Sequence, residues 1–447
     1  VRLLIVDPKG LGLDFAMRCQ KDGHDVRLAL RMTEKTKNIG KGLVQVVDDY
    51  RKWMRWADIV FMTDNTLYVT DMERWRAEGV KIVGASVESA AWELDRSAGM
   101  KVMQRAGIDL PSYKEFRDYD SAIAYVKRED RRFVSKVIDG GNEDKALSYC
   151  AETPEDMVYM LQRWKKLKKL SGPFALQEFI SGCEMAVGAW FGPHGFNAGW
   201  CENFEFKKLM NDDMGVATGE QGTVLRYVRA SKLARKVLLP LADALAKVGY
   251  VGYVDVNCIV DDAGQPWPLE FTMRPGWPTF NIQMALHEGD HAQWLQDLVH
   301  GRDTRACVMN AVAAGVVVSI PDYPYSHVTR KEVTGVPVYG VDQETWTHVH
   351  PCEMMLGFAP KKLAGKFADV PMMVTAGDYI MVMSATGVDV KEATDTVYRR
   401  LDKLVVPNSP MYRTDIGRRL KKQLPKLQAK GYATDMAYSM PPLSLSA

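Results

Sequence analysis

The chain has 447 residues, with 58 basic and 56 acidic side chains and a formal net charge of +2; at roughly 150 residues per domain this length suggests about three domains. Its 47% hydrophobic and 26% charged content is that of a globular chain with apolar material for more than one core. The near-zero balance excludes a polyanion binder that is basic over its whole surface, and the modest Gly and Pro counts exclude collagen-like or disordered material.

Residues 3–6 are a short β-rich run that meets Asp7-Pro8-Lys9-Gly10-Leu11-Gly12, followed by a helical stretch (13–22), a turn at Gly23 and a second strand (25–29). A third strand (58–62) precedes the polar corner Thr63-Asp64-Asn65, and a helix (71–78) and a strand (80–83) complete about 85 residues of alternating βα units. A helix is predicted over 88–106, then strands at 133–137, 174–179 and 185–191 joined by polar and glycine-bearing loops. A long helix over 231–248 leads to two strands, 250–260 and 266–272, across the turn Asp261-Asp262-Ala263-Gly264. From about 306, strands at 311–320, 336–339, 372–375 and 379–385 surround a helix at 390–401, and the small, polar residues after 431 read as a frayed end.

Seven scattered cysteines without a CxxC pair argue against a disulfide framework or a thiolate zinc site. The longest apolar run, residues 311–320, is far short of the ~20 residues that cross a bilayer, and the opening residues read as a strand. A reducing cytoplasm is the expected setting, with no membrane partner.

The strand pair near residues 250–274 is the most informative segment. Asp255 and Glu270, on neighbouring strands, can face one another and hold a hard divalent cation through oxygen. Arg274 offers a planar fork for a phosphate or carboxylate, and Lys101, Lys136, Lys207 and Lys208 supply point charges upstream. Alone this is a weak signal, since a carboxylate at a hairpin is usually a solvated turn.

The order of segments adds to it. A helix with a lysine is followed by Lys136-Val137-Ile138-Asp139-Gly140-Gly141, by Leu176-Gln177-Glu178-Phe179-Ile180-Ser181-Gly182-Cys183-Glu184, and then by the acidic hairpin. This resembles the ATP-grasp superfamily, and within it the phosphoribosylamine–glycine ligases, along almost the whole chain. Lys81-Ile82-Val83-Gly84-Ala85-Ser86, the loop ending Gly215-Val216-Ala217-Thr218-Gly219-Glu220-Gln221-Gly222, and Pro268-Leu269-Glu270-Phe271-Thr272-Met273-Arg274 carry the resemblance, with Gly315-Val316-Val317-Val318 and Tyr412-Arg413-Thr414-Asp415-Ile416-Gly417 downstream.

The resemblance implies a mixed α/β and α+β multidomain protein. Residues 1–95 would form an N-terminal Rossmann-like pre-ATP-grasp domain and 96–300 a two-lobed ATP-grasp core, with a mobile lid lobe at about 120–185. Residues 301–430 would form a C-terminal α+β domain and 431–447 a tail. It implies ATP and magnesium (or manganese) as cofactors, small-molecule carboxylate and amine substrates, and an ATP-dependent ligase of purine synthesis acting as a monomer or homodimer. Lys101 and Lys136 would bind phosphates, Glu178 and Ile180 the adenine edge, and Glu184 the ribose. Lys207 and the loop at Gly219 would line the space between γ-phosphate and substrate. Glu270 would hold the metal, with Asp255 and Thr272 as further candidates, and Arg274 would steady an acyl phosphate.

Departures gather where substrate is chosen. The first loop carries Asp7 and lacks the family's Arg, Glu and His, and a carboxylate directly after the strand is a poor neighbour for a phosphate. Thr272 stands for the family's metal-binding Asn, Gly276-Trp277-Pro278-Thr279 replaces Gly-Asp-Pro-Glu, and the lid reads Gly140-Gly141-Asn142-Glu143-Asp144-Lys145. A changed substrate is therefore expected, with a relic nucleotide or nucleic-acid binder as the alternative. His287-Glu288-Gly289-Asp290-His291 matches HExxH, but Gly289 and Asp290 predict a helix break and a new N-cap. The basic stretches 163–169 and 418–430 read as solvated helix faces rather than a nucleic-acid patch.

Overall fold

A continuous apolar run opens the chain: Leu3, Leu4, Ile5 and Val6 are all buried, as in a strand covered on both faces. In the computed structural model, which describes residues 1–138, 148–169, 172–302, 308–325, 331–407 and 409–440, this run is the centre of a five-stranded parallel sheet. Its strands are β1 (Arg2–Asp7), β2 (Asp25–Leu30), β3 (Gln45–Val47), β4 (Ile59–Met62) and β5 (Ile82–Val83), in the order β3-β2-β1-β4-β5. Helices α1 (Leu13–Lys21) and α2 (Val69–Ala77) are crossovers.

The helix expected over 88–106 is two helices, α3 (Val87–Leu94) and α4 (Arg96–Arg105). Asp95 sits between them in an extended conformation and its side chain accepts from the Ala98 amide, so it ends one helix and N-caps the next. Beyond α4 a four-stranded antiparallel sheet, β6 (Tyr113–Phe116), β7 (Phe133–Val137), β8 (Tyr149–Cys150) and β9 (Phe174–Glu178), pairs in the order β6-β9-β7-β8. Two helices, α5 (Tyr119–Glu129) and α6 (Pro154–Leu167), cover it. Phe116, Val126, Phe133, Met157, Leu161, Trp164 and Phe174 give this lobe a core of its own. The glycine-bearing residues of the expected lid, 139–147, lie outside the described residues.

The remaining strands build one nine-stranded sheet: β10 (Cys183–Gly192), β11 (Gly195–Phe196), β12 (Trp200–Lys208), β13 (Ala217–Val228), β14 (Gly252–Val260), β15 (Pro266–Thr272), β16 (Val312–Ser319), β17 (Val349–Pro351) and β20 (Tyr379–Gly387). The order β15-β14-β10-β12-β13-β16-β20-β17, with β11 beside β10, carries the sheet across position 301. Segments read as a separate C-terminal unit thus hydrogen-bond directly to the central strands. A two-stranded hairpin, β18 (Met354–Leu363) with β19 (Lys366–Thr375), stands apart.

The helix expected over 231–248 is interrupted: α7 (Lys232–Val237) and α8 (Ala242–Lys247) flank a 3-10 turn at Leu239–Leu241. Pro240 is the cause, because it has no amide hydrogen to continue the ladder. Residues after 431 are not frayed at their start. Tyr432, Ala433 and Met436 are buried, and the Tyr432 hydroxyl donates to the Gly264 carbonyl at 2.8 Å. No described helix is long and apolar enough to cross a membrane.

The parallel sheet and the large sheet share one core. Phe15 on α1, Phe61 on β4 and Phe280 on α9 (Thr279–Met284) meet with ring centroids 5.2, 5.3 and 5.8 Å apart, all fully buried. Replacing Phe280 by Ala removes the ring common to both layers, and is expected to cost about 3–5 kcal/mol. Lowered melting temperature and urea midpoint in the variant check this; an unchanged midpoint would show that the two layers do not depend on the contact.

Candidate active site

In a strand, side chains alternate between faces, so register decides which residues of neighbouring strands share a face. Antiparallel pairing sets Asp255 opposite Thr272 and Asn257 opposite Glu270, Gly188 opposite Asp255, and Ala186 opposite both Asn203 and Asn257. One face of β15-β14-β10-β12 therefore carries Glu270, Thr272, Asp255, Asn257, Glu184, Asn203, Glu205 and Lys207. The other carries Phe271, Val254, Val256, Cys258, Met185, Val187, Phe204 and Phe206, all buried in the core. Strand alternation alone separates a polar floor from an apolar base.

Lys207 is the hub of the polar face. Its ammonium lies 3.0 Å from Glu184, 3.2 Å from Glu205 and 3.1 Å from Glu270. These carboxylates hold its pKa well above the ordinary lysine value against desolvation, and Lys207 in turn holds Glu270 well below the usual carboxylate range. Asn257 donates to Glu205 at 2.9 Å. Deeper in the floor, Asp255 accepts from the Asn203 amide at 2.8 Å and the Tyr253 hydroxyl at 3.3 Å, and burial raises its pKa. A Cβ on Gly188 would stand 2.0 Å from the Tyr253 hydroxyl and 2.6 Å from Asp255, so only glycine leaves room for this pair.

Cations approach from the other side. Lys136 on β7 is pushed down to about 7 by desolvation, with Arg96 and Lys207 adding repulsion. Arg96, at the start of α4, donates to the Leu269 carbonyl at 2.6 Å and to Gln177 at 3.2 Å, joining β15 to β9 of the small lobe. Its charge also contributes to the low pKa of Glu270. Lys101, expected here, is exposed further along α4. Arg96 is the residue that sequence reasoning missed, and its one signal was a basic side chain directly after the N-cap Asp95.

The other expected residues fall as follows. Glu178 ends β9, with its carboxylate bonded by the Ser112 hydroxyl and 3.4 Å from Arg131. Ile180 is half-buried in the link from β9 to β10, and Glu184 follows on β10. Gly219 lies on the exposed start of β13, where an added Cβ would meet nothing within 4 Å. The segment is anchored by Thr218, whose hydroxyl donates to the Lys207 carbonyl at 2.8 Å, and by Gln221, which donates to Thr218 and to the Tyr323 hydroxyl, both at 3.0 Å. Buried Glu220 accepts from Thr279 at 3.0 Å and its pKa is raised by desolvation. Arg274 lies 2.9 Å from Glu93, which also accepts from Asn65 at 2.8 Å.

The alternative motifs have structural partners. Gly289 adopts φ +97° and Asp290 N-caps α10 (His291–Val299), as the helix-break reading expects. The His291 imidazole lies 2.6 Å from Asp22. Among the described residues no three His, Cys, Asp or Glu side chains converge as a metal cage. On α6, Trp164 is buried and Lys165 pairs with Asp120 at 2.6 Å; Arg418 pairs with Asp212, and the Arg419 guanidinium stacks 4.0 Å from the Phe206 ring centroid.

Replacing Lys207 by Met strands three carboxylates without their cation. A loss of about 2–4 kcal/mol is expected at pH 8. Like charges raise carboxylate pKa values, so the deficit against wild type should shrink as pH falls from 8 to 5. Melting curves across that range check the sign; a deficit constant with pH would locate the loss elsewhere.

No family model matches the chain. It is 24% identical over 365 residues to a phosphoribosylamine–glycine ligase of Ralstonia nicotianae, covering 78% of this chain and 81% of that protein. It is 25% identical over 368 residues to the ligase of the same name from Chlorobaculum tepidum, covering 77% and 80%. Among solved structures it matches the Thermotoga maritima phosphoribosylamine–glycine ligase with a TM-score of 0.70 at 17% identity, over 93% of this chain and 100% of that one. A Campylobacter jejuni biotin carboxylase–β,γ-ATP complex matches with a TM-score of 0.61 at 13% identity, over 97% and 98%. The chain therefore has the ATP-grasp fold, and along more than three quarters of its length it is similar in sequence to phosphoribosylamine–glycine ligases.

Proposed function

We propose that the protein is an ATP-dependent carboxylate–amine ligase that forms an amide through an acyl phosphate. The observation that carries this reading is the polar sheet face centred on Lys207, set beneath Arg96 and Lys136 in an ATP-grasp fold. A carboxylate is a poor electrophile because its oxide leaving group is intolerable at neutral pH. Attack of a carboxylate oxygen on the γ-phosphorus of ATP releases ADP and gives an acyl phosphate. Attack of the amine nitrogen on the acyl carbon then forms the C–N bond, expels phosphate and sheds one proton from nitrogen.

The residues support a division of labour. Arg96, Lys136 and Lys207 would neutralise the phosphates, and backbone and side chains of 178–184 would hold the nucleoside. The open segment at Gly219 would leave space for the transferred phosphoryl group, and Arg274 would face the acyl phosphate. Positioning and charge neutralisation then carry catalysis. Magnesium would lend Lewis acidity to the phosphates, and Glu270 suits it: its carboxylate is exposed on the sheet face, ionised and beside Glu205 and Asn257. Asp255 is less available, since Asn203 and Tyr253 engage its carboxylate, and Thr272 lies opposite it. Phosphoribosylamine with glycine, the pair in the relatives' name and a step of purine synthesis, is the reference pair for assay.

ADP release with magnesium, ATP and a panel of carboxylate–amine pairs tests the proposal. Substrate-dependent ADP is expected in wild type and a loss of at least about a hundredfold in Glu270→Ala. Release that is unchanged in the variant would remove Glu270 from the site, and no release with any pair would remove the ligase reading.

The low pKa of Lys136 gives a second expectation. Nearby polyphosphate raises an ammonium pKa, so above pH 7 nucleotide binding should take up a proton at Lys136. ATP affinity should then fall by up to about tenfold per pH unit above 7, and Lys136→Met should flatten that slope. Calorimetry in buffers of different ionisation enthalpy reads the proton directly; wild-type binding without proton uptake would contradict it.

A further inference from the structure

The parallel sheet has its switch point between β1 and β4, where the chain winds outward in both directions. In open α/β sheets the crevice at the carboxyl ends of such strands is the usual ligand position. A glycine-bearing loop running from strand to helix there presents backbone amides that hold anions, phosphate above all. Residues 8–12 form such a loop between β1 and α1.

Its amides already have an anion. The Asp7 carboxylate accepts from the backbone amides of Lys9 (3.3 Å), Gly10 (2.9 Å) and Gly12 (2.6 Å), and from the Thr63 hydroxyl of the β4 corner (2.8 Å). Asp7 is fully buried. Gly12 permits the fit: a Cβ there would lie 3.3 Å from the Asp7 carboxylate and 3.0 Å from Thr63. The loop's own cation is also taken, since the Lys9 ammonium lies 2.8 Å from Asp64, a buried carboxylate of the same corner. Arg274, whose charge interacts with Asp64, is paired with Glu93. The Trp277 indole donates to the Thr63 carbonyl at 3.2 Å and gives the corner an aromatic wall.

We propose that Asp7 is a permanent occupant of the anion nest, so that the substrate held against this end of the parallel sheet carries no phosphate there: the acceptor is a phosphate-free amine. A phosphate dianion brought to the nest would find its donors engaged and would lie against a buried carboxylate with Asp64 beside it. Repulsion at that range, away from water, outweighs what a helix terminus and one paired lysine supply. The word acceptor rests on the ligase reading; the occupancy of the nest does not.

Calorimetric titration with ribose 5-phosphate, on the full chain saturated with magnesium and a non-hydrolysable ATP analogue, separates the two. Wild type should show no binding up to about 1 mM, whereas Asp7→Gly, which empties the nest, should bind at least about tenfold more tightly and Asp7→Asn should shift the same way by less. Ribose without phosphate should not distinguish the three. The Asn variant, close in shape, keeps the test alive if the Gly variant melts too low. Wild-type binding of ribose 5-phosphate as tight as that of Asp7→Gly, or no gain in either folded variant, would overturn the proposal. So would ADP release by wild type with phosphoribosylamine and glycine. ADP release confined to phosphate-free amines would support it. Absence of ADP with every pair would strike the ligase reading alone, leaving the isotherms to decide the nest.

Discussion

Lys207 stands 3.0–3.2 Å from Glu184, Glu205 and Glu270, and each of these contacts comes from a different relation in the sheet. Glu205 is two residues away on the same strand, Glu184 lies on the adjacent β10, and Glu270 reaches across from β15. One ammonium thus fixes the faces of the strands it touches, because slipping any of them by one residue would turn its carboxylate into the core. The same ammonium holds Glu270 ionised at the surface of the floor, so a cation or phosphate arriving there would exchange for ion pairs already in place.

Around this floor the packing is asymmetric. The parallel sheet is fused to the large sheet through the Phe15, Phe61 and Phe280 rings, whereas the small lobe has a separate core. Arg96 bridges the gap by bonding a backbone carbonyl of β15 and the Gln177 amide oxygen of β9. A long cation on a helix start thus links the small lobe to β15 of the large sheet. Polar links between bodies of separate core are the kind that can shift while each body stays intact.

Local patterns were legible in the sequence. The βα alternation, the strands of the acidic hairpin and the N-cap at Asp290 depend on residues close along the chain, and the structure has them, with one further edge strand, β3, that the reading lacked. Breaks within helices were less visible: Asp95 and Pro240 divide helices that periodicity joined, although both residues are known capping or breaking types. Non-local pairing was out of reach. Nothing near residues 312–319 announces that they lie beside β13, and the anchoring of Tyr432 depends on a carbonyl at Gly264. Among the candidate site residues, Lys207, Glu184 and Glu270 share one sheet face with Lys136 of the small lobe within range of their charges, while Lys101 lies apart and Arg96 takes a place near Glu270. The chemistry of Asp7 was readable as a misplaced charge, but its four donors were not, since one of them, Thr63, is 56 residues away.

The continuity of the large sheet across position 301 bears on how the chain is made. β13 needs β16 along one edge, and β16 follows about 90 residues later, with β20 later still. At a synthesis rate of about 5–20 residues per second, the β13 edge emerges some 5–20 s before its partner exists. During that interval a twelve-residue strand with a largely buried sequence, Ala217–Val228, offers unpaired backbone to any neighbouring strand. The C-terminal third is thus the closing edge of the large sheet rather than an appendage, and a ribosome that stalls or terminates early near residue 300 releases an open template for aggregation.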